Sequence, residues 1–196
     1  MNKRSSPAKV SVAATVLIGA LAAPTATAGI GKGNWEFGFG LGTTEFDSEV
    51  AGDSGSYLDL RGGYFLTDRF QFEGQLSNAS TDEGNIDINL SSLFVNAVIN
   101  SRPGKRARPY VLFGAGHTTL EADGAFTADD DSLSYQMALG CRFFLGSTGK
   151  MAWRVELSTI SEETFEERST HYSVTTGFSW RIGPDVSTWR RYRRAH

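Results

Sequence analysis

The most constraining stretch of this chain is His171–Ile182, HYSVTTGFSWRI. In an extended strand, Tyr172, Val174, Thr176, Phe178, Trp180 and Ile182 fall on one side, and Ser173, Thr175, Gly177, Ser179 and Arg181 on the other. Period-2 alternation of this length gives the strand one apolar face. The second face is mostly Gly, Ser and Thr with a single charge, where a face turned to bulk water would carry more Lys and Glu. Large apolar groups outside and small polar groups inside is the pattern of a strand set between lipid and a packed polar lumen.

Seven earlier segments repeat the pattern. Strand one, Asn34–Glu45, alternates Trp35, Phe37, Phe39 and Leu41 with Glu36, Gly38, Gly40 and Gly42. Strand two, Tyr57–Phe65, places Leu58, Leu60 and Tyr64 outside and Asp59 and Arg61 inside. The turn Leu66–Arg69 leads to strand three, Phe70–Ser77, with Phe70, Phe72 and Leu76 outside and Gln71, Glu73 and Gln75 inside. Asp68 suits that turn because its side chain can accept from nearby backbone amides. Strand four breaks phase: Ile86, Ile88 and Leu90 share one parity, Val95, Ala97 and Ile99 the other. Either a bulge near Ser91-Ser92 shifts the register, which is the expectation adopted, or Leu93 and Val95 point inward. A basic Pro/Gly turn, Ser101–Pro109, precedes strand five, Tyr110–Leu120, with Val111, Phe113 and Ala115 outside. Strand six, Ser132–Leu145, sends Leu133, Tyr135, Met137, Leu139, Cys141 and Phe143 outward and Gln136, Gly140 and Arg142 inward. After Gly146–Lys150, strand seven alternates Met151, Trp153, Val155 and Leu157 with Arg154 and Glu156.

The first 28 residues stand apart. Lys3, Arg4 and Lys9 form a positive start, Val10–Ala23 is mostly apolar, and Ala26-Thr27-Ala28 is an A-x-A site. That is the layout of a secretory signal peptide. Its removal takes 3 of the 19 basic residues and none of the 22 acidic ones, so the exported chain is net acidic, which argues against a nucleic-acid partner. Cys141 is the single cysteine, so no internal disulfide forms. No apolar run of about 18 residues follows the leader, so no transmembrane helix is expected. The mean hydropathy of −0.26 does not indicate solubility, because alternating residues cancel in any averaging window.

Eight strands is an even number, and the links between them alternate. Those after strands two, four and six are short or basic, carrying Arg69, then Arg102, Lys105, Arg106 and Arg108, then Lys150. The others are acidic: Glu45, Asp47, Glu49 and Asp53; Asp82 and Glu83; Glu121, Asp123 and Asp129–Asp131; Glu162, Glu163, Glu166 and Glu167. Short periplasmic turns and longer outer loops are expected of an outer-membrane barrel. Unpaired strand edges cost several kcal/mol per backbone group in hydrocarbon, so strand eight must pair with strand one. Eight strands leave room inside only for side chains. Glu36, Asp59, Arg61, Glu73, Arg142, Arg154, Glu156 and Arg181 point inward, four carboxylates and four guanidiniums, and are expected to form a buried ion-pair network that plugs the lumen.

WEFGFGLG in strand one, the hairpin GGYFLTDRFQFEG and PYVLFGAGH opening strand five carry a resemblance to the eight-stranded outer-membrane barrels of the OmpA/OmpX type, across about residues 30–182. Thr175-x-Gly177-x-x-Trp180-x-Ile182 resembles the signal read by the barrel-assembly machinery. The resemblance implies an all-β, antiparallel up-and-down transmembrane barrel at 29–182, integral to the outer membrane of a Gram-negative envelope. Such proteins commonly end at a C-terminal Phe, whereas here a basic tail, 183–196, is expected on the periplasmic side. No peptidoglycan-binding domain is expected from these residues, so anchoring to the cell wall is not carried over. Similar barrels do different jobs, so the family does not settle function.

Three functional readings follow. The one adopted is a non-enzymatic barrel with a structural role in the envelope, without cofactor or metal and sufficient as a monomer. It would contact outer-membrane lipids and lipopolysaccharide, and meet surface or host ligands through its acidic loops. A second is a narrow ion or small-solute channel, porin-like, through the charged lumen. The third is a lipid A-modifying hydrolase on the barrel wall: His117, Thr119 and Glu121 stand at i, i+2, i+4 near the outer end of strand five. Lipid A deacylases resemble this in a His-x-Ser pair with a Glu orienting the base. Here Thr119 replaces the Ser and Glu121 reads as the first loop residue. The acidic run Asp129–Asp131 lacks an ordered cation-ligand spacing and reads as a solvated loop. In the tail, TWRRYRRAH interleaves Arg190, Arg191, Arg193 and Arg194 with Trp189 and Tyr192, a composition suited to anionic headgroups.

Overall fold

The computed structural model describes residues 31–45, 54–83, 86–101, 106–123, 128–146, 148–164 and 167–183. The leader 1–28, the residues Asp47, Glu49, Asp53, Arg102, Lys105 and Glu166, and the tail beyond Gly183 lie outside them. Eight strands form: β1 Trp35–Glu45, β2 Ser54–Phe65, β3 Phe70–Glu83, β4 Ile86–Asn100, β5 Ala107–Asp123, β6 Ala128–Leu145, β7 Met151–Thr164 and β8 Glu167–Ile182. Each pairs antiparallel with its neighbours in sequence, and β8 closes on β1. Among the described residues no helix is long and apolar enough to cross a membrane.

The pairing climbs as it goes round. Trp35 pairs with Tyr64, Tyr64 with Phe72, Phe72 with Ala97 and Ala97 with Phe113. Phe113 then pairs with Met137, Met137 with Thr159, Thr159 with Tyr172, and Tyr172 with Glu45. One circuit therefore returns to β1 ten residues above Trp35, a stagger that tilts the strands by roughly 40° from the barrel axis.

The outer wall is apolar. Trp35, Phe37, Leu60, Phe72, Leu139 and Trp180 are exposed. Aromatic contacts are dense toward the short turns: Trp35 lies 5.0 Å from Tyr64, Phe39 5.9 Å from Trp180 and Phe143 5.3 Å from Trp153 between ring centroids. A belt of rings at the edge of an apolar band is the membrane-interface girdle of such barrels.

Several expectations need correction. β4 contains no bulge: it pairs without interruption with β3 from Phe70↔Ile99 to Glu83↔Ile86 and with β5 from Asn100↔Tyr110 to Asp87↔Asp123. Leu93 and Val95 face outward at 55% and 65% exposure, while Leu90, Phe94 and Val98 are buried inside. Both alternatives rested on the assumption that apolar means outward, and the lumen itself takes apolar side chains. The loop-side hairpins also run further than the alternation does. Glu121 lies within β5, paired with Asn89 and Asp129, and Asp129–Asp131 lie within β6 rather than in a loop. Beyond the apolar band a two-stranded ribbon keeps its backbone ladder while both faces become polar, so the period-2 signal disappears. In the turn after β2, Asp68 Oδ1 accepts from the Lys32 amide at 3.3 Å, while the turn's own amides are capped by Thr67, whose Oγ1 accepts from Arg69 at 3.2 Å and Phe70 at 2.9 Å.

Candidate functional site

The interior positions of β1, β2, β3, β6 and β7 bring Glu36, Asp59, Arg61, Glu73, Arg142, Arg154 and Glu156 into one buried cluster. Arg61 lies at its centre. Its Nε donates to Asp59 Oδ1 at 2.6 Å, and Nη1 and Nη2 donate to the Glu156 carboxylate at 2.9 and 2.8 Å. Nη1 also lies 3.4 Å from Glu73 Oε1. Arg154 bridges three carboxylates, at 2.8 Å from Glu73, 3.3 Å from Glu156 and 3.4 Å from Glu36. Arg142, fully buried, donates to Glu36 at 2.9 Å, to Asn100 Oδ1 at 2.6 Å and to Gln71 Oε1 at 2.9 Å.

Tyr110, which sequence reading left without a role, ties the cluster together. Its hydroxyl donates to Glu156 Oε2 at 2.5 Å and accepts from Arg154 Nε at 3.2 Å and Nη2 at 3.1 Å. Its ring lies 4.3 Å from the Arg142 guanidinium carbon, a cation–π contact. The signal was available: Tyr110 has the parity of Gly114 and Gly116, which face inward from the same strand. Glycine makes room on the opposite side, since a Cβ on Gly40 would come within 2.5 Å of Asp59 Oδ2.

Above the cluster, toward the long loops, the lumen continues with neutral groups. Gln75 donates to Tyr57 Oη at 3.0 Å, Asn96 to Gln75 Oε1 at 3.0 Å, and Thr118 to Ser92 Oγ at 3.1 Å, with Phe94 and Leu90 packed among them. Below it, Phe65, Phe144 and Ala152 form an apolar layer. Arg181 belongs to this lower level, donating to the Gly149 carbonyl at 2.8 Å and lying 5.8 Å from the Phe144 ring. Arg108 is a correction to the turn reading: it lies in β5, points inward and is 1% exposed.

The remaining candidates are on or near the wall. His117 is exposed on the outer face between Leu93 and Leu133, and Thr119 pairs with Ser91 and Asp131. In β8, Thr175 is buried, Gly177 packs against β1, and Trp180 and Ile182 face outward. Among the described residues no group of three or more His, Cys, Asp or Glu is arranged to hold a metal ion. The cluster's carboxylates and guanidiniums are already engaged with one another, so its chemistry is that of a cross-brace.

The family model for the outer membrane protein beta-barrel domain matches residues 13–183. The chain belongs to that family. As an outer membrane barrel it resides in the bacterial outer membrane, its apolar wall toward lipid. Solved structures share the architecture. Neisserial surface protein A aligns with a TM-score of 0.66 at 10% identity, covering 77% of this chain and 98% of its own. Ail, the attachment invasion locus protein of Yersinia pestis, gives 0.55 at 15% identity over 77% and 99%, and was also solved with the heparin analogue sucrose octasulfate. The N-terminal β-barrel domain of Pseudomonas aeruginosa OprF gives 0.54 at 19% identity over 78% and 100%. At these identities the likeness shows the fold alone. No curated protein matches the chain.

Proposed function

We propose that this outer membrane barrel is a non-enzymatic, non-conducting element of the envelope whose acidic loop-side ribbons meet cationic surfaces. The observation that carries the first half is the cross-braced lumen: Arg61, Arg154 and Tyr110 span it from opposite walls onto Glu73 and Glu156. An ion passing through would have to break several charge-assisted bonds in a low-dielectric interior. Planar-bilayer recording of the refolded protein is expected to show no discrete openings; reproducible unit conductance would replace this reading with a channel.

The second half rests on charge. Acidic residues crowd the long-link ends of the hairpins, at Asp82-Glu83, Asp129–Asp131 and Glu162-Glu163. Ail was solved with a polyanionic heparin analogue; the acidic balance here favours ligands of the opposite sign. Proteoliposomes should adhere to polylysine-coated surfaces more than to heparin-coated ones. The triple Asp129→Asn, Asp130→Asn, Asp131→Asn variant should lose much of that preference. Equal adhesion to both coatings would remove it.

A further inference from the structure

At the short-turn end the lumen closes over two guanidiniums whose surroundings differ from those of the mid-lumen cluster. Arg108 Nε donates to the Ser101 carbonyl at 3.1 Å, and its Nη2 donates to the Asp68 carbonyl. Its buried Nη1 finds no acceptor among the described residues. The charges that bear on Arg108 are the like charges of Arg142 and Arg181 and the opposite charges of Asp68 and Glu36. Glu36 is already bonded to Arg142 and Arg154. The Asp68 carboxylate sits on the exposed rim, where it accepts from the Lys32 amide at 3.3 Å.

Among the described residues the short-turn end carries exposed Lys32, Arg69 and Lys150, three cations against the one exposed carboxylate of Asp68. Contact with the backbone of Asp68 places the Arg108 guanidinium directly beneath that rim. A buried cation with an unmet N–H is costly unless an anion or further acceptor completes it. A guanidinium fork with a spare N–H suits the tetrahedral oxygens of phosphate better than a point acceptor does.

We propose that the short-turn mouth is an anion site, in which Arg108, drawn on by the basic rim, binds a phosphate group. The group is supplied either by an acidic phospholipid headgroup at the membrane edge or by free phosphate. This site is separate from the mid-lumen cluster and does not depend on the barrel being closed to ions.

The test uses the mature chain refolded in octyl glucoside, which carries no phosphate, with the arginine Nε–H signals followed by NMR. Inorganic phosphate is titrated against equal ionic strength of chloride. A parallel arm uses bicelles of phosphatidylcholine with or without phosphatidylglycerol. A saturable shift of the Arg108 signal is expected. Arg108→Lys should weaken phosphate binding by about tenfold or more, with folding verified by heat-dependent gel mobility. If that variant does not fold, the wild-type Arg108 signal remains the readout. The Lys32→Gln, Arg69→Gln, Lys150→Gln variant changes only exposed side chains and should lower affinity while leaving the shift in place. Response to both probes, or to either alone, supports the site and identifies its source. No saturable shift in either arm overturns it, as does a shift abolished by the rim variant, which would mark unspecific screening.

Discussion

Mid-lumen and the short-turn mouth both bury guanidinium groups, yet they treat them oppositely. At mid-lumen, Arg61 meets three carboxylates and Arg154 three carboxylates and a phenol. At the mouth, the bonds of Arg108 run to the backbone carbonyls of Ser101 and Asp68. In the first region each guanidinium has carboxylate partners, four carboxylates standing against three guanidiniums, whereas in the second the acceptors that Arg108 meets are neutral. A buried cation is rigid and inert where anions surround it, and remains available for binding where neutral dipoles do.

The sharpest way to break this contrast is Glu156→Gln, which strips charge from the acceptor shared by Arg61, Arg154 and Tyr110. It should cost about 3–5 kcal/mol in a urea-unfolding series, because it breaks the buried pairs that the Glu156 carboxylate makes with Arg61 and Arg154. Arg61→Met should cost a similar amount. Adding Asp59→Leu, whose bonds run to Arg61, should recover about 1–3 kcal/mol as a coupling term. Arg108→Gln should cost less, about 1–3 kcal/mol, since carbonyls rather than carboxylates lose a partner. If Arg108 proves as costly as Glu156, the two regions are not distinct. Smallest of all is His117→Ala on the outer wall: stability should stay within about 0.5 kcal/mol. Mass spectrometry of lipid A from cells with wild-type protein and with this variant should give the same acylation profile.

Where a rule had one physical cause, the sequence was easy to read. Outward faces in β1, β2, β3 and β6 followed from alternation alone, because lipid demands apolar groups at every second position. Reading inward faces was harder, since the lumen accepts anything that packs. Phe94, Val98 and Leu112 are as buried as Arg142. In β4 that tolerance made a regular strand look bulged. Arg108 was misread for a different reason: it follows a Pro/Gly turn rich in cations, and composition said nothing about the residue at which pairing begins. Tyr110 was left without a role because a lone aromatic at the start of a strand carries no charge to mark it, although its parity with Gly114 and Gly116 places it inside. The charged residues of mid-lumen could be named singly, but their mutual distances depend on the ten-residue climb of the strand pairing, which no single strand records.

That β1 and β8 meet with Gly40 directly across from Gly177 has a consequence for how the chain is threaded. A Cβ at 177 would come within 2.0 Å of the Phe39 carbonyl oxygen, so the two strands approach along bare backbone. On the lumen side the first and last strands are thus sutured around Gly40 and Gly177 with little side-chain bulk to sort, the aromatic rings of the seam lying on its outer face. A circularly permuted version, opened instead between β6 and β7, would have to finish by fitting Arg142 opposite Arg154. At Gly40 and Gly177 the seam of β1 and β8 asks for no such fit.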